Sequence, residues 1–455
     1  MTASATAVPL AAIILAAGKG TRMKSDLHKV LHPIAGRPML LHLIDSFDAA
    51  GARERVVVVG SLREQVEAAV APLGVRTVVQ EDQLGTAHAA LQAKEALKDF
   101  DGVALICFGD VPFLRTETIA GMVHRLAAED HPKIVVLGFR PADPAAYGRI
   151  VADSDSRILV MVEYKDATPT QRAVTLCNSG VMAVRAADLW PLLERVDCDN
   201  AAGEYYLPDI VTLATRDGDR SVVVEAPESE VLGINSRAEL AGAELVWQRR
   251  RRALALADGA SLIAPETVWF AHDTRIGRDV VIEPNVFFGP GVSVADKVTI
   301  HAFCHIEGAT ILSGAQVGPY ARLRPGTVLE QGSKIGNFVE TKKAVLGPGA
   351  KANHLTYLGD VTVGSGANIG AGTITCNYDG FLKYRTEIGH GAFVGSNSAL
   401  VAPVKIGDGA IVAAGSVVTR DVEANALGVA RAKQEVKPGW ARRFREAMAA
   451  KKAAK

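Results

Sequence analysis

The chain of 455 residues balances 50 Lys and Arg against 50 Asp and Glu, so no global field draws it to nucleic acid or to an anionic surface. Its 48% hydrophobic and 22% charged residues are ordinary for a globular protein, and no apolar run approaches the roughly 20 residues of a membrane span. One hydrophobic core rarely covers this length, so two or three domains are expected.

Residues 1–10 lack the basic start of a secretory signal. The five cysteines, Cys107, Cys177, Cys198, Cys304 and Cys376, are scattered without a CxxC pair. That usage predicts free thiols in a reducing cytoplasm. Residues 11–17 read as a buried strand of the parallel type, ending in Gly18-Lys19-Gly20-Thr21-Arg22-Met23. A glycine-rich turn there can present backbone N–H groups to phosphate, and it serves a plain tight turn as readily. Neither GxxxxGK[ST] nor GxGxxG spacing is present. Arg22 and Lys29 add two cations nearby.

Strand patterns at 55–60, 75–79, 103–108 and 134–139 alternate with amphipathic stretches at 62–70 and 86–97. The alternation predicts a Rossmann-like α/β sheet of mainly parallel strands, with ligand loops at its carboxyl edge. Gly109-Asp110 follows one strand directly, where an aspartate is placed to hold Mg²⁺ on phosphates; a turn aspartate before Val-Pro is the alternative. Residues 236–257 form a long helical pattern. Its basic run, 249–252, has no interleaved aromatics, so it reads as a solvated helix face on an arm between domains rather than a nucleic-acid contact.

From Gly259 and Pro265 onward the chain keeps a beat of six. Ile276, Ile282, Phe288, Val294, Ile300, Ile306 and Leu312 fall on one register, which slips by one residue to Ile311, Val317, Leu323, Leu329 and Ile335. Ile388, Val394, Leu400, Ile406, Val412 and Val418 resume it. Glycine often follows the aliphatic residue. Six fits neither helix nor simple strand. It fits a solenoid of short strands and tight corners, a parallel β-helix of hexapeptide repeats. Between Ile374 and Ile388 the beat breaks at a polar insertion, 375–383, which predicts an external loop reaching a neighbouring surface. A dense polar stretch around His354 exceeds what a scaffold needs. A lone coil histidine is more often structural, but the Arg, Lys, Tyr and Asn residues around it in sequence make His354 a candidate base.

Residues 15–23 with Lys29 resemble the signature of sugar-1-phosphate nucleotidyltransferases. Gln80, Gln83-Leu84-Gly85-Thr86-Ala87, Phe108-Gly109-Asp110-Val111-Pro112, Tyr147-Gly148-Arg149-Ile150, Glu163, Cys177-Asn178-Ser179-Gly180 and Gly233-Ile234-Asn235-Ser236-Arg237 extend the likeness. Together with the hexapeptide segment, the chain resembles along nearly its whole length the bacterial bifunctional N-acetylglucosamine-1-phosphate uridyltransferase/glucosamine-1-phosphate N-acetyltransferase family. His28 and Phe108 depart from it, where proline and tyrosine are usual; small effects on loop stiffness and ring contacts are expected.

The resemblance implies a uridyltransferase domain at 1–235, a helical linker at 236–262, and a left-handed β-helix acetyltransferase domain with a C-terminal tail at 263–455. It gives Mg²⁺ to Asp110 and Asn235, the developing α-phosphate charge to Lys29, and the leaving pyrophosphate to Arg22. Leu15, Ala16, Ala17 and Gly18 would contact the nucleotide of UTP, along with Phe108 and Gly109. Gln80, Gly85 and Thr86 would read its uracil, and Gly148, Glu163 and Asn178 the sugar. In the second domain His354 would be the base. Arg324 and Lys342 would hold the sugar phosphate, and Tyr357 and Asn368 the sugar. Ala371, Asn377, Tyr378, Lys383, Ser396, Ala414 and Arg431 would serve acetyl-CoA. A homotrimer supplying UDP-N-acetylglucosamine to envelope synthesis is implied, without membrane insertion. Two competing readings are a single-activity nucleotidyltransferase with a structural β-helix, and a non-catalytic scaffold that binds nucleotide. The length of the solenoid and the His354 cluster weigh against the first; intact Arg22, Lys29 and Asp110 weigh against the second.

Overall fold

A computed structural model describes residues 8–454; residues 1–7, most of the stretch read for a secretory signal, lie outside the described residues. The chain divides into two compact units, Met1–Arg250 and Arg251–Lys455, with the division inside the helix Arg237–Ala257. Among the described residues no helix is long and apolar enough to cross a membrane. All five cysteines are free.

The first unit is built on a sheet of β1 (Leu10–Ala16), β2 (Glu54–Val59), β3 (Arg76–Val79), β4 (Val103–Phe108), β5 (Ile134–Phe139), β6 (Arg149–Ala152), β7 (Ile158–Val162), β8 (Cys177–Arg185) and β9 (Ser221–Glu225). The strand order is β9-β5-β8-β4-β1-β2-β3, with the β6–β7 hairpin attached to β8. Pairings of β1 with β2 and β4, of β2 with β3, and of β5 with β9 are parallel. Strand β8, inserted between β4 and β5, runs antiparallel to both.

Every residue of β1 is buried, as a strand covered on both faces requires. The alternation of the pleat then sorts its side chains into two cores: Ala12, Ile14 and Ala16 on one face, Ala11, Ile13 and Leu15 on the other. The carboxyl ends of β1, β3 and β4 lead into the loops that carry Gly18, Gln80 and Asp110, the edge where α/β sheets take ligands.

The second unit is a three-sided parallel β-helix. One side runs through Val281, Thr299, Gln316, Lys334, Lys351, Asn368, Phe393 and Ile411, each paired with the next coil. Thr299 to Gln316 is 17 residues and Gln316 to Lys334 is 18, so a coil is three hexapeptides or one residue fewer. The 17-residue coil explains the slip in the beat: Ile311 is fully buried, while Leu312 is 38% exposed. Asn368 to Phe393 is 25 residues, because the insertion lies in that coil.

Glycine after the inward aliphatic lets the next coil approach. A Cβ on Gly370 would stand 2.6 Å from the Ser396 nitrogen and 2.7 Å from the Val394 oxygen. Beneath the polar stretch, threonines replace aliphatics in the interior. Thr327 and Thr341 share a hydrogen bond of 2.9 Å, and Thr375 Oγ1 accepts from the Gly359 N–H at 2.7 Å, so these three hydroxyls are satisfied, whereas the buried hydroxyls of Thr373 and Thr386 meet no partner among the described residues.

Candidate active sites

In the first unit two chambers meet. One is walled by the turn after β1 (Leu15 to Gly18), Lys29, Gln80, Gly85 and Thr86. The other is walled by Tyr147, Gly148, Glu163, Asn178, Gly180 and Asn235. Lys29, Thr86, Phe108, Asp110 and Glu204 line both. At that junction the Lys29 ammonium is ion-paired with Asp110 Oδ2 and lies 3.0 Å from Asn235 Oδ1.

Local structure accounts for the convergence. The Gly109 N–H donates to the Leu15 carbonyl at 2.9 Å, continuing the β1–β4 ladder up to Asp110. The Ile234 N–H donates to the Asp110 carbonyl at 3.0 Å, which sets Asn235 beside it. A capping box then starts the long helix: Glu239 Oε2 accepts from the N–H groups of Asn235 and Ser236, and Ser236 Oγ accepts from the Glu239 N–H.

His28, the departure noted in the sequence, is buried and caps the turn Lys29–Leu31; its Nδ1 accepts from the Val30 N–H. Burial, then the Lys29 charge, push its pKa down to about 4, so the ring adds no cation at neutral pH.

The wall of the second chamber is tightly specified. A Cβ on Gly148 would stand 3.2 Å from Glu163 Oε1, and one on Gly180, at φ +79°, would collide with the Phe108 ring. The Gly180 N–H donates to Asn178 Oδ1 at 2.8 Å, leaving the Asn178 amide nitrogen for a ligand. Burial, then the charges of Asp209 and Asp166, push the Glu163 carboxyl above the usual range. Arg149 is buried with its guanidinium on the carbonyls of Pro144, Tyr147, Ala145 and Arg172, and so pins the loop before Gly148. Gln83 braces the first turn by donating to the Ala17 carbonyl at 2.9 Å. Glu204, His28 and these two bracing roles were not assigned from the sequence. Arg22 is exposed on the turn Thr21–Met23 and lines neither chamber.

In the second unit His354 stands at one corner of the β-helix, exposed, with Nδ1 2.6 Å from Asn337 Oδ1 on the preceding coil. Thr356 Oγ1 donates to the His354 carbonyl at 2.7 Å. One coil apart on the same corner follow Ala371, Ser396 and Ala414; the Asn397 N–H donates to the Ala371 carbonyl, and the Gly415 N–H to that of Ser396. Arg431 Nη1 donates to the Ala414 carbonyl at 2.8 Å, closing this line.

A second corner carries the cations. Contact with Lys383, then the charge of Arg324, hold the Lys342 ammonium below its usual pKa, so three cations converge at this corner. Arg324 Nη1 meanwhile pairs with Glu340 at 2.9 Å. Lys383, grouped from the sequence with acetyl-CoA, thus lies with Lys342 and Arg324. Tyr357 lies on the side between these corners, whereas Asn368 lies on the neighbouring side, so one chain does not bring all of them together. Asn377 is buried and donates to Asp360 at the root of the insertion, and Tyr378 is exposed on it.

Comparison with known proteins agrees with both halves. Residues 12–201 match the family described as MobA-like NTP transferase domain, and residues 273–308 and 385–420 match the bacterial transferase hexapeptide family, the class of left-handed β-helices. Among curated proteins, the chain is 69% identical to "Bifunctional protein GlmU" of Rhizorhabdus wittichii over 98% of this chain and 99% of that protein. It is 65% identical to that of Sphingopyxis alaskensis over 98% of both chains, and 51% identical to that of a Jannaschia species over 99% of both. With the two-unit architecture and both sites in place, the chain belongs to the family of bifunctional GlmU proteins.

Proposed function

We propose that this chain makes UDP-N-acetylglucosamine in two steps. Glucosamine-1-phosphate is acetylated from acetyl-CoA in the second unit. The product then takes a uridylyl group from UTP in the first, releasing pyrophosphate. The observation that carries this reading is the pairing of two chemistries on one chain: a cation-centred junction between two chambers in the first unit, and, on separate corners of the β-helix, a histidine base and a cation cluster. The working segments are 1–235 and 263–455, joined by 236–262.

For uridylyl transfer, an acceptor phosphate oxygen attacks the α-phosphorus and pyrophosphate leaves, so positioning and charge neutralisation carry the rate. Lys29 lies where both chambers meet and stabilises charge on the α-phosphate. Arg22, on its exposed turn, would need to swing inward to meet the pyrophosphate. Leu15 to Gly18 lie along the nucleotide, and Gly148, Glu163 and Asn178 hold the acceptor sugar. Asp110 and Asn235 suit Mg²⁺, since their oxygens already converge on a cation, and an ion that keeps several waters needs few protein ligands. That ion, when bound, supplies neutralising charge on the phosphates.

For acetyl transfer, the Nδ1–H of His354 donates to Asn337, so Nε2 keeps the lone pair that takes the amine proton. Arg324, Lys342 and Lys383 hold the phosphate, and Tyr357 and Asn368 the sugar. The corner from Ala371 through Ser396 and Ala414 to Arg431 holds acetyl-CoA, with Asn377 and Tyr378 nearby. Because Tyr357 and Asn368 sit on different sides, and because Phe381 is 91% exposed at the tip of the insertion, the acetylating site is completed by neighbouring chains in a homotrimer. Free thiols accord with a cytoplasmic location.

Asp110→Ala will abolish uridylyl transfer and spare acetylation, and His354→Ala will do the reverse. Loss of both activities from either folded variant would contradict the two-site reading.

A further inference from the structure

Gln80 follows β3 and is only 4% exposed, with its N–H donating to the Val59 carbonyl at 2.8 Å. Its amide nitrogen lies 3.1 Å from the Gly85 carbonyl and 3.0 Å from His88 Nδ1, two acceptors for its two hydrogens. The Gln80 oxygen meets no donor among the described residues, and the Gly85 N–H meets no acceptor among them. Gln80 and Gly85 line the first chamber, and His88 does not. The chamber wall therefore carries one acceptor and one donor side by side, and His88 stands behind the acceptor.

His88 could accept instead from Gln92, whose amide nitrogen lies 3.2 Å from His88 Nε2. A neutral imidazole has one lone pair, so it accepts from only one glutamine. Burial decides between them. Were Nε2 the acceptor, Nδ1–H would face the Gln80 amide, and Gln80 could meet it only by turning its oxygen against the Gly85 carbonyl, away from water. Gln92 is partly exposed, and its amide can reverse and exchange its 3.0 Å contact with the His88 carbonyl for water. Nδ1 thus accepts from Gln80, and Nε2–H donates to Gln92.

We infer that His88 is the positioning residue for nucleotide specificity: it holds the Gln80 carbonyl toward the base, selecting a pyrimidine that carries N3–H and rejecting cytosine. This rests on the reading of this chamber as the nucleotide site. Uracil offers N3–H to the Gln80 oxygen and an adjacent carbonyl to the Gly85 N–H. Cytosine has a lone pair at N3, so whichever of its edges faces Gly85, two acceptors oppose each other at Gln80. A buried mismatch of this kind supports discrimination of about 10³-fold or more.

The test is pyrophosphate release with N-acetylglucosamine-1-phosphate and either UTP or CTP, on the full chain and its His88→Ala and His88→Asn variants. The expected wild-type preference for UTP in kcat/KM is about 10³-fold or more. His88→Ala should narrow it at least tenfold, with CTP turnover rising in absolute terms because the freed amide can offer its N–H. His88→Asn, whose Oδ1 takes the place of Nδ1, should restore the preference. Thiol release from acetyl-CoA should be unchanged in all three. If His88→Ala lowers UTP and CTP turnover alike, the inference is overturned. A wild-type chain inert to both nucleotides would overturn the nucleotide reading beneath it.

Discussion

Asn337→Ala removes the group that sets the state of the proposed base. Asn337 Oδ1 is 2.6 Å from His354 Nδ1, and the two residues are register partners on successive coils. Of the two neutral tautomers of imidazole, only the one protonated at Nδ1 keeps Nε2 as a base. A hydrogen bond of net worth about 1–1.5 kcal/mol favours that tautomer by about 5–13-fold, and it also fixes the ring plane. Thiol release from acetyl-CoA should therefore slow by about tenfold in kcat, with KM for glucosamine-1-phosphate within about twofold. His354→Ala, which removes the base itself, should cost about 10²-fold or more. Asn337→Asp supplies a charged acceptor that favours the protonated ring, so its imidazole pKa rises. Because the base must be neutral, the acid limb of kcat should move to higher pH in that variant. An Asn337→Ala enzyme with unchanged kcat, or an acid limb moving downward in Asn337→Asp, would refute the assignment of Asn337.

Other predictions follow from the geometry. Lys383→Ala should raise KM for glucosamine-1-phosphate and leave KM for acetyl-CoA unchanged, since Lys383 stands with Lys342 and Arg324; the opposite pattern in steady-state kinetics would return it to the acetyl-CoA group. Gly370→Ala should destabilise the β-helix by about 1–3 kcal/mol, read by thermal unfolding, because the new Cβ meets backbone of the next coil that cannot rotate away. Burial, then the charges of Asp197 and Asp166, push the Asp209 carboxyl up to about 6. The folded state thus binds a proton between about pH 4 and 6 that the unfolded state releases, so stability falls as pH rises through that window. Asp209→Asn should stabilise the first unit at pH 7 by about 1 kcal/mol after solvent screening, and the gain should vanish near pH 4 in denaturant titrations.

The β-helix was legible because its interior is filled by one residue in six, and burial writes that period directly into the sequence. Even its slip from Leu312 to Ile311 was visible, since a coil one residue short must move the inward side chain. Parallel strands β1 to β5 announced themselves as buried aliphatic runs, but the antiparallel entry of β8 between β4 and β5 did not. Strand order depends on which edges meet, and no local pattern encodes it. Lys29 and Asn235 are 206 positions apart, so their meeting came from motif order and not from spacing. Asn337 lay in the polar stretch around His354, yet its contact with His354 could be found only once the coil length was known to be 17 there. Glu204 had no such signal, because it reaches the chambers from a loop outside every motif.

The most direct test of two independent chemistries on one chain is thiol release from acetyl-CoA with glucosamine-1-phosphate as acceptor and no UTP present. The account predicts free coenzyme A in step with that sugar, absent without it and lost in His354→Ala. No release from folded, trimeric protein would contradict it, leaving the β-helix a scaffold and the first unit a nucleotidyltransferase alone.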